Sequence, residues 1–354
     1  MTASTIAVAL AAPVMGRIAD ARGRRGVIVL SAFGLGAAML LLATAGGLRQ
    51  VVAWRFVQGL MMPGTFAVTL AFIHDQWPAD RVGRATAAYV AGTVLGGFVG
   101  RAVAGIVAFF AGWRAAFVAL GIIDLLCSAG VWRWLPHDSH PKEVRRGRSP
   151  HDPSTTSVLR NRELLVTCVV GFCVLFAQVA TFTYITFYLA APPFELTSAE
   201  LGWLFSVYLV GVAVTPLSGR WIDARGPRVM LAIAMTLGVA GALLTLVHGI
   251  AIVIAGLALS CTSVFIAQAT ASTHLGTAAA HDRGTAIGVY ASCYYVGGTC
   301  GGAVPALLWR VGGWPACVGL IVSVQCATAV IGLAGWNRRL SSRRHDDDEG
   351  HKVF

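Results

Sequence analysis

The sequence predicts an all-α membrane protein built from two related bundles of helices. Of its 354 residues, 56% are hydrophobic and only 12% are charged, whereas soluble domains carry about 25% charged residues. Apolar stretches of about 20 residues, the length that crosses a bilayer, follow one another along most of the chain. A polar segment divides these stretches into two groups, and short sequences of the first group recur in the second. Lipid is therefore the solvent in which we interpret this chain.

The apolar stretches predict eleven membrane-spanning helices. The first half, residues 1–135, contains five of them, near residues 2–15, 26–46, 51–74, 86–110 and 113–135. The second half, residues 163–336, contains six, near residues 164–191, 199–218, 229–247, 250–275, 285–309 and 314–336. Residues 136–162 form a polar linker without apolar periodicity, which cannot bury a core of its own, and residues 337–354 form a charged tail.

The basic residues predict which face of the membrane is cytoplasmic. Of the 27 Lys and Arg residues, 22 lie in one set of alternating loops, three lie in the opposite set, and Arg55 and Arg101 lie within spans. Because positively charged loops stay on the cytoplasmic side, we expect the linker and the tail in the cytoplasm and the spans in a bacterial inner membrane. This distribution explains the net charge of +11 without a nucleic-acid partner.

Two segments of the first half recur in the second half at nearly the same spacing. GRIADARGRR at 16–25 returns as GRWIDARGPR at 219–228, with seven of ten residues identical at a shift of 203 positions. GGFVGRAVAGIVAFFAGW at 96–113 aligns with GGTCGGAVPALLWRVGGW at 297–314, at a shift of 201. In carriers made of parallel repeats, the substrate site lies near the midplane between the two bundles.

The first repeated segment resembles the signature loop of the major facilitator superfamily, which lies after the second helix of the family and again after the eighth. The matching residues are Gly16, Arg17, Asp20, Arg22, Gly23, Arg24 and Arg25, and then Gly219, Arg220, Asp223, Arg225, Gly226 and Arg228. The resemblance implies an alternating-access carrier in which this loop latches the halves together on the cytoplasmic side. Asp75, at the same end of its span, is the expected partner of Arg24 or Arg25. The alternative is that these residues are ordinary topogenic charges.

Further motifs resemble the drug:proton antiporter branch and bacterial efflux permeases for arabinose or other small solutes. Arg55, Gln58 and Gly59 resemble the fourth-helix motif of that branch. Gly92, Gly96, Gly97 and Gly100 resemble its glycine-rich motif, although Gly97 replaces the usual proline and Arg101 replaces a small residue. The resemblance implies a monomer without cofactors that exports a small organic solute or drug in exchange for protons.

The first helix of the family is absent from this sequence, because the signature loop follows the first predicted span and not the second. We expect either a start codon assigned downstream of the true one or a truncated, transport-inactive remnant of a carrier. An enzyme is disfavoured, since the sequence contains no His-Glu-x-x-His, no Gly-x-Ser-x-Gly and no Cys/His set with metal-ligand spacing.

Charged residues within spans are candidate functional residues, because a charge in lipid is expensive unless it is paired or hydrated. Arg55, Gln58 and Gly59 share a helix face that we expect to look into a central cavity, unless Arg55 extends to the outer surface. Asp124 is the only acidic residue near the middle of a span, and its predicted depth is similar to that of Arg101. The two form an ion pair, or Asp124 carries protons, or Asp124 faces solvent or lipid.

Polar and aromatic residues at helical spacing are candidates to line a substrate cavity. One stripe consists of Gln178, Thr181, Tyr184 and Tyr188, and Gln268 and Ser272 form another. Packing within a bundle is the alternative for each of them. We expect close helix packing at the glycines of both repeats, which are Gly92, Gly96, Gly97, Gly100, Gly297, Gly298, Gly301 and Gly302.

Overall fold

The computed structural model describes residues 2–77, 79–137, 161–278 and 283–336. Within these residues every regular element is a helix, and no strand occurs. Most of the predicted linker and the whole predicted tail lie outside the described residues.

The first half contains four helices, which are α1 (Thr2–Arg22), α2 (Arg24–Ala43), α3 (Leu48–Gln76) and α4 (Ala79–Trp134). Non-helical backbone at Gly112 divides α4 into limbs 79–111 and 113–134. The second half consists of α5 (Arg162–Ala190), α6 (Ser198–Leu204), a 3₁₀ helix (Phe205–Leu209), α7 (Val210–Arg225), α8 (Pro227–Leu244), α9 (Ile250–Ala278), α10 (Arg283–Ala303) and α11 (Pro305–Gly335). α11 is broken in the same way at Gly312 and Gly313.

Eight helical segments of the described chain are long and apolar enough to cross a membrane. One of them, residues 91–134, contains two of the predicted spans, separated by the break at Gly112. α1 and α10 lie where the other two spans were predicted. The helical pattern therefore fits the eleven spans expected from the sequence.

The repeat seen in the sequence is also a repeat of backbone geometry. Gly23 and Gly226, which correspond at a shift of 203, join consecutive helices with φ angles of 100° and 79°. Gly112 and Gly313, which correspond at a shift of 201, break their helices with φ angles of 80° and 58°. Glycine is favoured at such positive φ angles because it has no Cβ. The two halves therefore change direction at equivalent places.

The basic residues that end the two signature loops make equivalent contacts. Arg25 donates a hydrogen bond of 2.7 Å to the carbonyl of Trp132, near the end of α4. Arg228 donates to the carbonyl of Leu333, which is the counterpart of Trp132 at a shift of 201. Each loop is thus tied to the last helix of its own half, at a membrane face that we call the loop face. The opposite side is the far face.

Local sequence explains how the second half begins its helices. Asn161 caps α5 by accepting hydrogen bonds from the backbone amides of Glu163 and Leu164. Thr197 and Glu200 form a reciprocal capping box at the start of α6, which satisfies two amides that a helix leaves unpaired. These caps fix where α5 and α6 enter the bundle.

The two halves meet along two pairs of helices that the repeat relates to each other. α1 packs on α10, while the first limb of α4 packs on α6 and the 3₁₀ helix. The Thr299 hydroxyl donates a 2.8 Å hydrogen bond to the Thr5 hydroxyl in the first contact. Phe98 and Trp203 pack with ring centroids 5.7 Å apart in the second. These side chains lie nearer the far face than the loop face.

Candidate functional site

The loop face of the first half contains a salt bridge that the sequence predicted. Nη1 of Arg24 lies 2.6 Å from Oδ2 of Asp75, and it also donates to the carbonyl of Ala71. The prediction that Asp75 pairs with an arginine of the signature loop is confirmed for Arg24. The counterpart of Arg24 at a shift of 203 is Pro227, so the second half cannot form an equivalent salt bridge.

The remaining residues of the signature loops line the same face. Gly16, Arg22, Gly219, Arg220, Asp223 and Arg225 are exposed. The side chains of Arg17 and Asp20 lie outside the described part of the structure. The proposed latch role of Asp20 and Asp223 therefore stays a prediction.

A group of tyrosines, which we call the tyrosine cluster, lies in the second half and consists of Tyr208, Tyr290, Tyr294 and Tyr295. The rings of Tyr290 and Tyr294 stack with centroids 6.0 Å apart, and Tyr294 meets Tyr295 edge to face at 5.5 Å. Tyr208, on the 3₁₀ helix, lies close to Tyr294. Tyr89 of the first half approaches Tyr295, so the cluster extends to the boundary between the halves.

Three predicted lining residues contact the tyrosine cluster. The Tyr290 hydroxyl donates a hydrogen bond of 3.3 Å to Oε1 of Gln268, and it also interacts with Ser272. Gln178 interacts with the hydroxyl of Tyr208. Contact of these glutamines with a substrate stays a prediction, but their positions are compatible with it.

The other three residues of the α5 stripe pack inside the second half, which corrects the prediction that they line a cavity. The Tyr184 hydroxyl donates to the carbonyl of Gly302 at 2.9 Å. Tyr188 stacks on Trp314 at 6.0 Å, and Thr181 is 3% exposed. In a helix of 3.6 residues per turn, the two steps of three residues place Tyr184 about 120° from Gln178, and the step of four to Tyr188 turns back by only about 40°. The stripe therefore rotates away from the face that carries Gln178.

The fourth-helix motif is directed to neighbours within the first half. Arg55 donates a 3.0 Å hydrogen bond to Gln58, and its guanidinium lies 5.1 Å from the ring centroid of Phe117. A Cβ added at Gly59 would lie 2.2 Å from the carbonyl oxygen of Ser4. Gly59 therefore permits close packing of α3 on α1, and the prediction that it faces a cavity with Arg55 and Gln58 is wrong.

Arg101 and Asp124 do not form the ion pair that their similar depths suggested. The Arg101 guanidinium lies 4.8 Å from the ring centroid of Phe205 and 5.3 Å from that of Tyr208, both in the second half. Asp124 lies on the second limb of α4, which packs on α2 around Gly121. The break at Gly112 turns this limb back into the first half, so the two side chains point to different neighbours. A proton role for Asp124 and a lipid-facing position both stay open.

The two glycine motifs differ in what covers them. Added Cβ atoms at Gly297 and Gly301 would lie 2.1 Å and 2.3 Å from carbonyl oxygens of α5, at Phe172 and Phe176. Gly298 is also close to α5, at the side chain of Leu175, and the carbonyl of Gly302 accepts the Tyr184 hydrogen bond. The packing prediction is confirmed for Gly297, Gly298 and Gly301.

The first glycine motif is open, which corrects the packing prediction for its members. Among the described residues, nothing lies within 4 Å of a Cβ added at Gly92, Gly96 or Gly100, and Gly97 meets only the guanidinium of Arg101. The helix that covers the second motif is α5, and α5 has no counterpart among the described elements of the first half.

Sequence reasoning missed the residues that approach each other across the boundary between the halves. Tyr89, Trp203, Phe205 and Tyr208 lie in predicted apolar spans, where no sequence pattern distinguishes them from packing residues. The spacing of Tyr290 and Tyr294, four residues apart on one helix face, was an available signal for the tyrosine cluster within the second half. The 3₁₀ helix that presents Phe205 and Tyr208 has no comparable signature in a single sequence.

Comparison with known proteins shows which family model and which relatives this chain resembles. The family model of the Major Facilitator Superfamily matches residues 1–192 and 189–352. The uncharacterized MFS-type transporter YybF of Bacillus subtilis (strain 168) is 29% identical over 325 residues, which are 91% of this chain and 80% of the relative. The inner membrane transport protein YnfM of Escherichia coli (strain K12) is 27% identical over 347 residues, 96% of this chain and 81% of the relative.

A solved structure has the same fold. The crystal structure of the human organic anion transporter MFSD10 (TETRAN) superposes with a TM-score of 0.68 over 93% of this chain and 82% of that one. The sequence identity is 19%, so this likeness concerns the arrangement of helices alone.

Proposed function

This chain belongs to the major facilitator superfamily and is a multi-span membrane transporter, and we propose that it exports a small organic solute across a bacterial inner membrane in exchange for protons. In this proposal the two halves rock against each other, so that a central site opens alternately to each face. The loop face is the cytoplasmic face.

The contact between the halves is the observation that carries the proposal. α1 on α10 and α4 on α6 with the 3₁₀ helix are equivalent pairs under the repeat. Two equivalent contacts on either side of a central space allow two rigid bundles to rotate without losing their internal packing. The described inter-half contacts, such as Thr5 with Thr299, lie toward the far face, which supports a state closed on that side.

The tyrosine cluster supports a site for a small organic molecule. Ligand sites are mostly apolar and aromatic, with a few placed polar groups. The cluster supplies aromatic faces and hydroxyls, and Gln178 and Gln268 supply amides. Export and proton coupling rest on the resemblance of Gly92 to Gly100 to the antiporter motif.

Everted membrane vesicles test the proposal, because their cytoplasmic face is outside and respiration acidifies their interior. Vesicles that contain this chain should accumulate at least one member of a panel of labelled sugars, dyes and organic acids. A protonophore should abolish the accumulation, and vesicles without the chain provide the control. Uptake that is insensitive to the protonophore, or that appears only in right-side-out vesicles, would contradict proton-coupled export.

A transport-inactive carrier is the second candidate, and the open face at Gly92, Gly96 and Gly100 favours it. In the second half the equivalent face is covered by α5, a helix of the bundle core. Normal insertion of residues 1–354 with no flux of any panel member would support this candidate over export.

A further inference from the structure

Arg101 extends a positive charge from the first half onto the surface of the second. Its guanidinium lies over the rings of Phe205 and Tyr208, at 4.8 Å and 5.3 Å from their centroids. It is close enough to Cys261 of α9 for an electrostatic interaction. The side chain is exposed at the boundary between the halves, where its guanidinium faces rings of the second half while Nη1 bonds back to its own helix at Gly97.

The hydrogen-bonding capacity of this guanidinium is mostly unused. An arginine side chain has five N–H donors, and among the described residues Arg101 makes one hydrogen bond, from Nη1 to the carbonyl of Gly97 at 2.8 Å. No carboxylate of the described residues forms a salt bridge with it. Arg24, by contrast, has both a carboxylate and a carbonyl partner.

Arg101 lies deep within its membrane-spanning helix, where a charge with few partners is unusual. It lies eleven residues before the break at Gly112, which is about 16 Å along the helix from the far end of that limb. An uncompensated charge at membrane depth is costly and is typical of a functional position. Its counterpart in the second repeat is Gly302, so the fold does not itself require an arginine here.

Aromatic rings form the wall beside the guanidinium. Phe182 lies 4.6 Å from Tyr208 between ring centroids, and Phe265 lies 6.4 Å from it. Gln178 interacts with the Tyr208 hydroxyl. A planar guanidinium with free donors binds a carboxylate through paired hydrogen bonds, and the rings next to it would hold an apolar body.

We propose that Arg101 determines specificity and that the transported solute is an organic anion with a carboxylate and an aromatic or apolar body. The carboxylate binds the free N–H groups of Arg101, and the body packs on Phe205 and Tyr208, which are partly exposed and are supported from behind by the buried Phe182. A cationic solute is repelled at the same place. This inference rests on the proposed transport function and names the substrate class of its site.

A charge series of one probe tests the inference. The full chain, purified and inserted in nanodiscs of zwitterionic lipid, is titrated with naphthoate, naphthamide and naphthylmethylammonium, and tryptophan fluorescence reports binding. We expect the carboxylate to bind about tenfold or more tighter than the amide, since charge-assisted bonds of this kind are strong. The ammonium compound should bind more weakly than both.

Variants of Arg101 then assign the preference to this residue. Arg101→Gln should abolish the difference in affinity between the carboxylate and the amide. Arg101→Lys should retain part of this difference, because lysine keeps the positive charge but lacks the planar pair of N–H donors. Arg114→Gln is the matched control, since Arg114 lies near the far end of the second limb of α4, stacked on Trp113 and bonded to the carbonyl of Ala45. It should leave the preference unchanged.

Several outcomes would overturn the inference. Equal affinities across the series in the unmodified chain, or no binding of naphthoate up to millimolar concentration, contradict it without any variant. A preference that persists in Arg101→Gln also contradicts it. If everted vesicles accumulate a neutral or cationic solute at the same rate with Arg101→Gln, export stands and the anion inference fails. If naphthoate binds through Arg101 but is not moved, the inference stands and the export proposal fails.

Discussion

Arginines of the first half show how much a residue's role depends on the direction of its side chain. Arg24 pairs with a carboxylate, Arg25 with helix-end carbonyls, Arg55 with a neighbouring amide and ring, and Arg101 with rings of the other half. The pairing of Arg24 with Asp75 was predictable, because a loop and a helix end at the same face leave few other partners. The direction of Arg101 was not predictable, because depth along a helix does not specify the side on which a residue lies.

The salt bridge between Arg24 and Asp75 should contribute modestly to stability. The Asp75 side chain is 37% exposed, and solvent-exposed pairs contribute at most about 1 kcal/mol. Arg24→Gln and Asp75→Asn should therefore show a coupling energy of about 0.5 kcal/mol in a double-mutant cycle of thermal unfolding in detergent. Asp75→Asn combined with Arg114→Gln, whose sites lie at opposite membrane faces, should be additive. Additivity of the first pair as well would mean that the salt bridge contributes nothing.

Arg101 and Asp124 should behave independently. Because they contact different neighbours, the effects of Arg101→Gln and Asp124→Asn on the free energy of unfolding should add within about 0.5 kcal/mol. The measurement is the same double-mutant cycle of thermal unfolding in detergent. The amount of protein extracted from the membrane is matched between variants by immunoblot. Recovery of stability in the double variant would indicate that Arg101 and Asp124 do form an ion pair, contrary to the structure.

At the scale of helices, the two glycine motifs show that one sequence pattern can occur both on a packed helix face and on an uncovered one. Gly297 and Gly301 let α10 approach the backbone of α5, whereas no residue of the described ranges lies within 4 Å of a Cβ added at Gly96 or Gly100. The sequence predicted packing for both motifs, because small residues commonly mark helix contacts in bilayers. It could not specify whether a neighbour is present, since that depends on which helices the chain contains.

Matched alanine substitutions should separate the two motifs. Gly297→Ala would place a Cβ 2.1 Å from the carbonyl oxygen of Phe172, and separating the helices should destabilise the protein by about 1–3 kcal/mol. Gly96→Ala, at the equivalent position, should be neutral or stabilising by up to about 1 kcal/mol because alanine favours helix. Thermal unfolding in detergent provides the comparison. A similar loss of stability in both variants would show that a helix also covers the first motif.

For the whole molecule, composition and the repeat were sufficient to predict the architecture. The glycines with positive φ fall at repeated positions, and Arg25 and Arg228 bond equivalent carbonyls at the loop face. The residues between the halves were harder to predict, because Arg101 and Tyr208 become neighbours only when the two bundles are placed together. A single sequence contains little information on that placement.

The signature loops should act on transport rather than on folding. If they latch the loop face, Asp20→Asn and Asp223→Asn should each reduce flux several-fold in everted vesicles without lowering the amount of protein in the membrane. Arg310→Gln, which removes a charge at the far end of the second half, is the control and should retain flux. Normal flux in both aspartate variants would support the alternative that these charges only set topology.

The central claim is that solute crosses between two bundles that rock against each other, and a reversible cross-link at the far face tests it most directly. Thr5 and Thr299 lie in different halves with hydroxyl oxygens 2.8 Å apart, so cysteines at both positions should form a disulfide in a background without the eight native cysteines. A disulfide between Gly34→Cys and Met61→Cys, neighbours within the first half, is the control. The account predicts that oxidation of the Thr5 and Thr299 pair stops flux and that reduction restores it. Undiminished flux with the halves fully cross-linked would contradict it.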